Sequence, residues 1–191
     1  MITTNNITKK YGDFTAINDL SFNVNEGEIL CLLGANGAGK STIINILLNF
    51  TLPSLGTAEI NNLDVIKNPI KTKEFITYIP ENLMLYPTLS AVENLDYFTK
   101  LSNKTFDQQQ LQNFLSEAGL EKAAHNNRVN TFSKGMRQKV GIALAIATPS
   151  FFIFLSNEIN SLLDFGSKPD VGSSSNKTFD SFAIANAIPT F

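Results

Sequence analysis

The chain has 191 residues, 43% of them hydrophobic and 17% charged, with a formal net charge of −2. That length suits one compact domain with a real core, and the composition excludes the disordered and fibrous classes. The near-balanced charge gives no electrostatic case for nucleic acid or an anionic membrane surface, and the single Cys31 excludes an internal disulfide framework, leaving a small core residue in a reducing compartment.

Taken from the start, Met1 to Lys10 is polar and lacks an apolar stretch before a small-residue cleavage site, so no leader is expected and the product should stay in the cytosol. Ala16 to Val24 alternates, with Leu20, Phe22 and Val24 on one face, as a half-buried strand does. After the turn at Glu26 and Gly27, Ile29 to Leu33 is a continuous apolar run, which predicts a strand buried on both faces. Glycines follow, and then Ile43, Ile44, Leu47 and Leu48 recur at helical spacing. Short strands are expected at Ala58 to Ile60 and Phe75 to Ile79. From Ser90 to about Asn126 the pattern becomes helical. Ser90 with Glu93, and Asp107 with Gln110, have the spacing of capping boxes, and Gly119 is placed to end the second helix. Ser133 can cap a third helix, Lys134 to about Ala147, which Pro149 stops before a buried strand at Phe151 to Leu155. The apolar region Ile142 to Leu155 is broken by Thr148, Pro149 and Ser150 and falls short of the roughly 20 residues of a membrane span. Beyond Phe165, Gly166, Pro169, Gly172 and three consecutive serines from Ser173 leave no sustained period, and poor order is expected.

The string GANGAGKST, Gly34 to Thr42, places two glycines and a Lys-Ser pair in the spacing of a phosphate-binding loop. Gly34, Gly37 and Gly39 let the backbone curl, so that the N–H groups of Gly34, Ala35, Asn36, Gly37, Ala38 and Gly39 can point at phosphate oxygens, and the helix that follows adds its positive end. Lys40 is expected to reach the β- and γ-phosphates, with Ser41 on Mg²⁺ and Thr42 closing the motif. The plain alternative is a glycine-rich turn before a helix, and the preceding strand weighs against it. The loop alone is compatible with a kinase, a GTPase or a transport ATPase.

Three stretches decide among these. ITKKYGDFTAINDLSFNVNEGEILCLLGANGAGKSTIINIL resembles the opening of an ABC transporter ATPase, while ITYIPENLMLYPTLSAVENL and FSKGMRQKVGIALAIATP resemble that family's coupling-loop and signature regions. The FSKGM form is similar to the exporter-type subgroup of drug, bacteriocin-immunity and polysaccharide exporters. The resemblance runs from Ile2 to about Asp164. It implies an α/β P-loop NTPase (RecA-like) fold with a mostly parallel sheet, an N-terminal antiparallel β region and an inserted helical subdomain. The expected division is a core of residues 1–80 and 131–164, a helical subdomain of 82–130 and a poorly patterned tail of 165–191. The resemblance further implies ATP and Mg²⁺ as ligands, with Tyr11 stacking on adenine. Ser133, Lys134, Gly135 and Met136 match the signature loop, which contacts the γ-phosphate held by the opposite subunit. Glu81 stands where the family more often has Gln, in the loop that links Mg²⁺ and the attacking water to the membrane subunit. The implied partners are an integral-membrane permease and a second ATPase subunit, identical or not, with no nucleic acid. The implied location is cytoplasmic, peripheral at the membrane face.

The pattern then breaks. In FFIFLSNEINSLLD two registers are possible, and the spacing from Glu158 to Asp164 aligns Asn157 with the family's Mg²⁺ acid and Glu158 with its catalytic base. A neutral Asn157 removes a full charge from the metal site, which weakens hydrolysis more than binding. The sole histidine, His125, precedes the signature helix and is expected at the surface, so the family's switch histidine has no counterpart. The chain reads as truncated or scrambled beyond about Leu155. The favoured expectation is an ATPase energising export; the alternatives are a nucleotide-binding, hydrolysis-impaired subunit and a soluble ABC protein of translation or DNA repair.

Overall fold

The structure, a computed structural model, describes residues 2–25, 28–35, 37–80, 82–148, 151–156 and 180–186. Glu26, Gly27, Glu81, Asn157, Glu158 and Pro149 lie outside the described residues, as does the Cys31 side chain.

Two sheets divide the strands. The first is antiparallel, with order β2 (Phe14–Val24), β1 (Ile2–Tyr11), β4 (Leu55–Ile60), β5 (Leu63–Asp64). In β1, Ile2, Thr4, Ile7 and Thr8 are buried, so the alternation slips between Thr4 and Ile7. The slip is a bulge: Asn6 has a φ of 49°, its N–H donates to Ser21 Oγ at 2.7 Å, and its side-chain amide donates to Asp19 Oδ1 at 2.7 Å.

The second sheet holds β3 (Ile29–Gly34), β6 (Ile76–Ile79), β7 (Phe151–Ser156) and β8 (Asp180–Asn186), in the order β3-β8-β7-β6. β6 and β7 pair in parallel, and β8 runs antiparallel to both β7 and β3. Three of the four strands therefore share one direction, as expected for the core sheet. The strand β8 corrects the expectation of a patternless tail. Its period-two segment, Ser181, Phe182, Ala183, Ile184, is too short to stand out in the sequence, yet both its edges are hydrogen-bonded to neighbours.

The helices are α1 (Lys40–Leu47), the short α2 (Pro69–Lys73), α3 (Ala91–Leu101), α4 (Gln108–Glu117) and α5 (Lys134–Ala147). Local chemistry sets their ends. Ser90 Oγ accepts from Glu93 N at 3.2 Å while Glu93 Oε2 accepts from Ser90 N at 2.7 Å, and Asp107 and Gln110 do the same for α4. α4 stops at Gly119, whose φ is +76°. There Leu120 N donates to Leu115 O and Gly119 N donates to Ser116 O, both at 2.9 Å, and the buried side chains of Leu115 and Leu120 join the same core. Lys139 of α5 donates to the Gly119 carbonyl at 2.9 Å, tying the end of α4 to the signature helix.

Two apolar clusters result. Ile43, Ile44, Ile46 and Leu47 of α1 pack with Ile2, Ile7, Ile17 and Ile60 of the antiparallel sheet. Leu95, Leu111, Leu115, Val140 and Ala143 pack with Ile79 in the second, where α5 lies on α3, α4 and β6. His125 belongs inside this helical part rather than at the surface. It is 2% exposed, its Nε2 lies 2.9 Å from Leu120 O, and its carbonyl accepts from Val92 N. The ring is held by the carbonyl of Leu120, five residues earlier, and the His125 backbone by Val92 of α3. None of the described helices is long and apolar enough to cross a membrane.

Candidate nucleotide site

The β3 strand delivers the chain into the loop, and its last residue is Gly34. Ala35 O accepts from Ala38 N at 3.1 Å and from Lys40 Nζ at 2.8 Å, so one carbonyl gathers the loop and its cation. Lys40 is only 8% exposed, and folding its ammonium onto the loop offsets part of the desolvation that burial imposes. Gly39 is the N-cap residue of α1, with a φ of 86°. A Cβ there would lie 2.4 Å from Ala16 O, so the residue must be glycine both for its left-handed backbone and for its contact with β2. That contact presses the loop against the β1–β2 hairpin, whose other strand ends at Tyr11.

No side chain caps α1, and its first turn contains no acid. By contrast Ser90, Asp107 and Ser133 each cap their own helix. The start of α1 is thus closed by no N-cap side chain, and its positive dipole end faces the loop. Ser41 is exposed beside them and Thr42 is half-buried. Asn36 lies outside the described residues, and Gly37 takes a φ of 85° that lets the loop turn between Ala35 and Ala38.

Tyr11 is 48% exposed, and Lys9 Nζ lies 4.9 Å from its ring centroid. The Ser133 hydroxyl accepts from Met136 N at 3.2 Å, so the Met136 N–H is occupied, while Lys134 and Gly135 are exposed at the tip of α5. α1 packs on β2, β3 and β4, whereas α5 packs on α3, α4 and β6. The two motifs therefore belong to different packing units. Of the metal and catalytic candidates, Ser41 is described; Glu81, Asn157 and Glu158 lie outside the described residues. A cavity of about 460 Å³ between α3 and α4, lined by Ser90, Glu93, Asp96, Phe106 and Leu111, shares no residue with the loop.

In the stretch that resembles the coupling loop, the structure adds an exposed aromatic surface whose side chains had no assigned role. Met84 is 84% exposed, and Tyr86 and Tyr97 pack edge to face with centroids 4.8 Å apart and hydroxyls 3.1 Å apart. Phe98 stacks on Tyr86 at 6.0 Å. The hydrogen bond to Tyr97 raises the Tyr86 hydroxyl above its usual pKa. Asn94, fully buried, anchors this loop: Oδ1 accepts from Tyr86 N at 2.8 Å, and Nδ2 lies within reach of the carbonyls of Tyr86, Leu89 and Ser90. The available signal was a polar Asn94 on the apolar stripe of α3, beside Leu95.

Residues 17–157 match the family model for ABC transporters. The chain is 35% identical over 162 residues to an ABC transporter ATP-binding protein of Bacillus subtilis, YdbJ, covering 85% of this chain and 52% of that protein. It is 34% identical over 148 residues to the linearmycin resistance ATP-binding protein LnrL of the same organism, covering 76% of this chain and 47% of the relative. The chain thus spans about half the length of these curated relatives. Among solved structures, the dimeric post-hydrolysis state of the ATP-binding cassette MJ0796 bound to ADP and Pi superposes with a TM-score of 0.64 at 26% identity, covering 78% of this chain and 71% of that one. The loop, the fold and these matches agree, and the chain belongs to the ABC transporter family of ATP-binding cassettes.

Proposed function

We propose that the chain binds ATP with Mg²⁺ and serves as the energising subunit of an exporter. The carrying observation is the uncapped start of α1 behind a loop whose lysine is folded onto Ala35 O. In this reading the N–H groups of Gly37 to Lys40 hold the phosphates, Lys40 exchanges Ala35 O for a phosphate oxygen, and Ser41 and Glu81 hold the metal beside Asn157. Mg²⁺, when bound, neutralises charge between the β- and γ-phosphates. Tyr11 stacks on the base, and Glu158 is the residual base toward water. Ser133, Lys134, Gly135 and Met136 reach the nucleotide of a second subunit, identical or not, which agrees with their place on a separate packing unit. The dimeric state of MJ0796 and the resistance function in the name of LnrL support the same assembly. Met84 and Tyr86, which follow Glu81 closely in sequence, with Tyr97 of α3 packed on Tyr86, offer an apolar and aromatic surface for a membrane permease, so the subunit works at the cytoplasmic membrane face.

Calorimetric titration with Mg-ATP, followed by phosphate release, tests the reading beside a Lys40→Ala control. Expected are saturable binding by the wild type, loss of binding in Lys40→Ala, and slow turnover, because Asn157 offers no carboxylate. Absence of uptake at millimolar ATP by folded protein, or equal uptake by Lys40→Ala, refutes it.

A further inference from the structure

Lys9 lies in the opening stretch without an assigned role, yet the fold gives its ammonium two contacts, one with Leu52 O and one with the Tyr11 ring. Residues 9 and 11 are two apart on β1 and therefore project on one side of the strand. The Lys9 ammonium donates to the carbonyl of Leu52 at 2.7 Å and stands 4.9 Å from the centroid of the Tyr11 ring. Leu52 follows α1 in the chain and precedes β4, so the tether runs from the far end of the P-loop helix back to the adenine-side strand.

We propose that Lys9 is a positioning residue for the nucleotide base: tethered to Leu52 O, it covers one face of the Tyr11 ring and leaves the other face, in a fixed orientation, for the base. The inference rests on the reading of Tyr11 as a stacking platform. Three physical points carry it. A half-exposed tyrosine at a strand end has free rotation about its side-chain bonds unless something holds it, and ordering it at binding weakens the complex. A lysine that already bonds a backbone carbonyl has surrendered its own freedom in the folded state, so its contact with the ring is preorganised rather than formed at binding. The cation lies within the range at which a ring quadrupole attracts it, which fixes the face it covers. A base can then stack from one side only.

The consequence separates base from phosphate. Lys9→Met keeps the alkyl stem but removes both the charge and the tether. It should weaken Mg-ATP about two- to fivefold, the range of an exposed cation–π contact expressed as an affinity ratio. The affinity for magnesium tripolyphosphate, which has no base, should not change. Lys9→Arg should recover most of the loss, because a guanidinium also stacks on an aromatic face and donates to a carbonyl. Lys9→Gln can still donate to Leu52 O but carries no charge, and it should behave like Lys9→Met; as the gentler replacement it also serves if Lys9→Met fails to fold.

The experiment is calorimetric titration of the full chain and these variants, with Tyr11→Ala, against both ligands, with thermal melts to verify folding. Selective loss for Mg-ATP, restored by Lys9→Arg, is the expected result. Equal loss for both ligands assigns Lys9 to the phosphates and overturns the proposal, as does unchanged affinity for both. If the wild type and Tyr11→Ala fail to distinguish Mg-ATP from tripolyphosphate, the platform itself is wrong and the inference falls with it.

Discussion

Replacing Asn94 by leucine exchanges a buried amide for an apolar side chain with the same branching and number of heavy atoms, and tests what holds the Tyr86 loop. Of the groups that Asn94 reaches, Leu89 O keeps a donor in Val129 N at 3.1 Å, and Ser90 O keeps Asn94's own N–H at 3.0 Å. Tyr86 O likewise keeps a donor in Leu89 N at 3.2 Å, which leaves Tyr86 N as the group that loses its partner with the Asn94 side chain. An orphaned buried group costs about 1–3 kcal/mol. Tyr86 is half-exposed, so this group can turn partly to water and the low end applies, about 1 kcal/mol. At about 2–4 °C per kcal/mol for a chain of this size, the melting temperature should fall by about 2–4 °C. Asn94→Asp separates the donor from the acceptor. The carboxylate can still accept from Tyr86 N, but it faces the carbonyls of Tyr86, Leu89 and Ser90 that the amide served. Burial without a cation raises the folded pKa of this acid above its unfolded value. The native state then binds more protons than the unfolded one, so Asn94→Asp should be most stable in acid and lose stability as pH rises through the raised value. Differential scanning calorimetry across pH reads both variants. An Asn94→Leu protein that melts with the wild type would refute the assignment of these hydrogen bonds to stability.

Two more predictions concern single side chains. Gln138, 7% exposed on α5, has no hydrogen-bond partner for Nε2 among the described residues, so Gln138→Leu should raise stability by about 1–3 kcal/mol, the range for removing an orphaned buried group. A lower midpoint in urea than the wild type's would show that the amide is satisfied after all. Glu93 titrates below the usual carboxylate range, first because Ser90 N–H donates to it, then through the Ser90 side chain and the charge of Arg128. Its contribution is present above the unfolded pKa and lost as pH falls through the depressed folded value. Glu93→Gln should therefore melt below the wild type at neutral pH and converge with it in acid, as thermal melts from about pH 7 to about pH 3 can show. A gap that does not narrow would assign the cap to something other than the charge.

What could be read from the residues divides by the range of the interaction. Ser90 with Glu93, Asp107 with Gln110, and Ser133 before Lys134 are contacts within one helical turn, so spacing alone placed the helices they start. The phosphate loop was legible for the same reason, since Gly39, Lys40 and Ser41 are neighbours whose roles follow from one turn and one helix end. β1 was not placed as an element. Its buried side takes Thr4 and Thr8 along with Ile2 and Ile7, and the bulge at Asn6 breaks the alternation that would have announced it. β8 was missed because its signal lies in strands far away in the chain: it takes both its partners from β3 and β7 and runs against them. His125 and Asn94 show the same limit at single residues. Each is polar and buried because backbone groups just beyond its own helical turn meet its side chain, Leu120 O for the one and the Tyr86 loop for the other. Lys9 extends this to the site itself. Position in the strand set it beside Tyr11, but only the return of the chain at Leu52 gave its ammonium a fixed place over the ring. The residues that meet phosphate could therefore be named in advance, while those that hold the surrounding parts in position depend on contacts that exist only after folding.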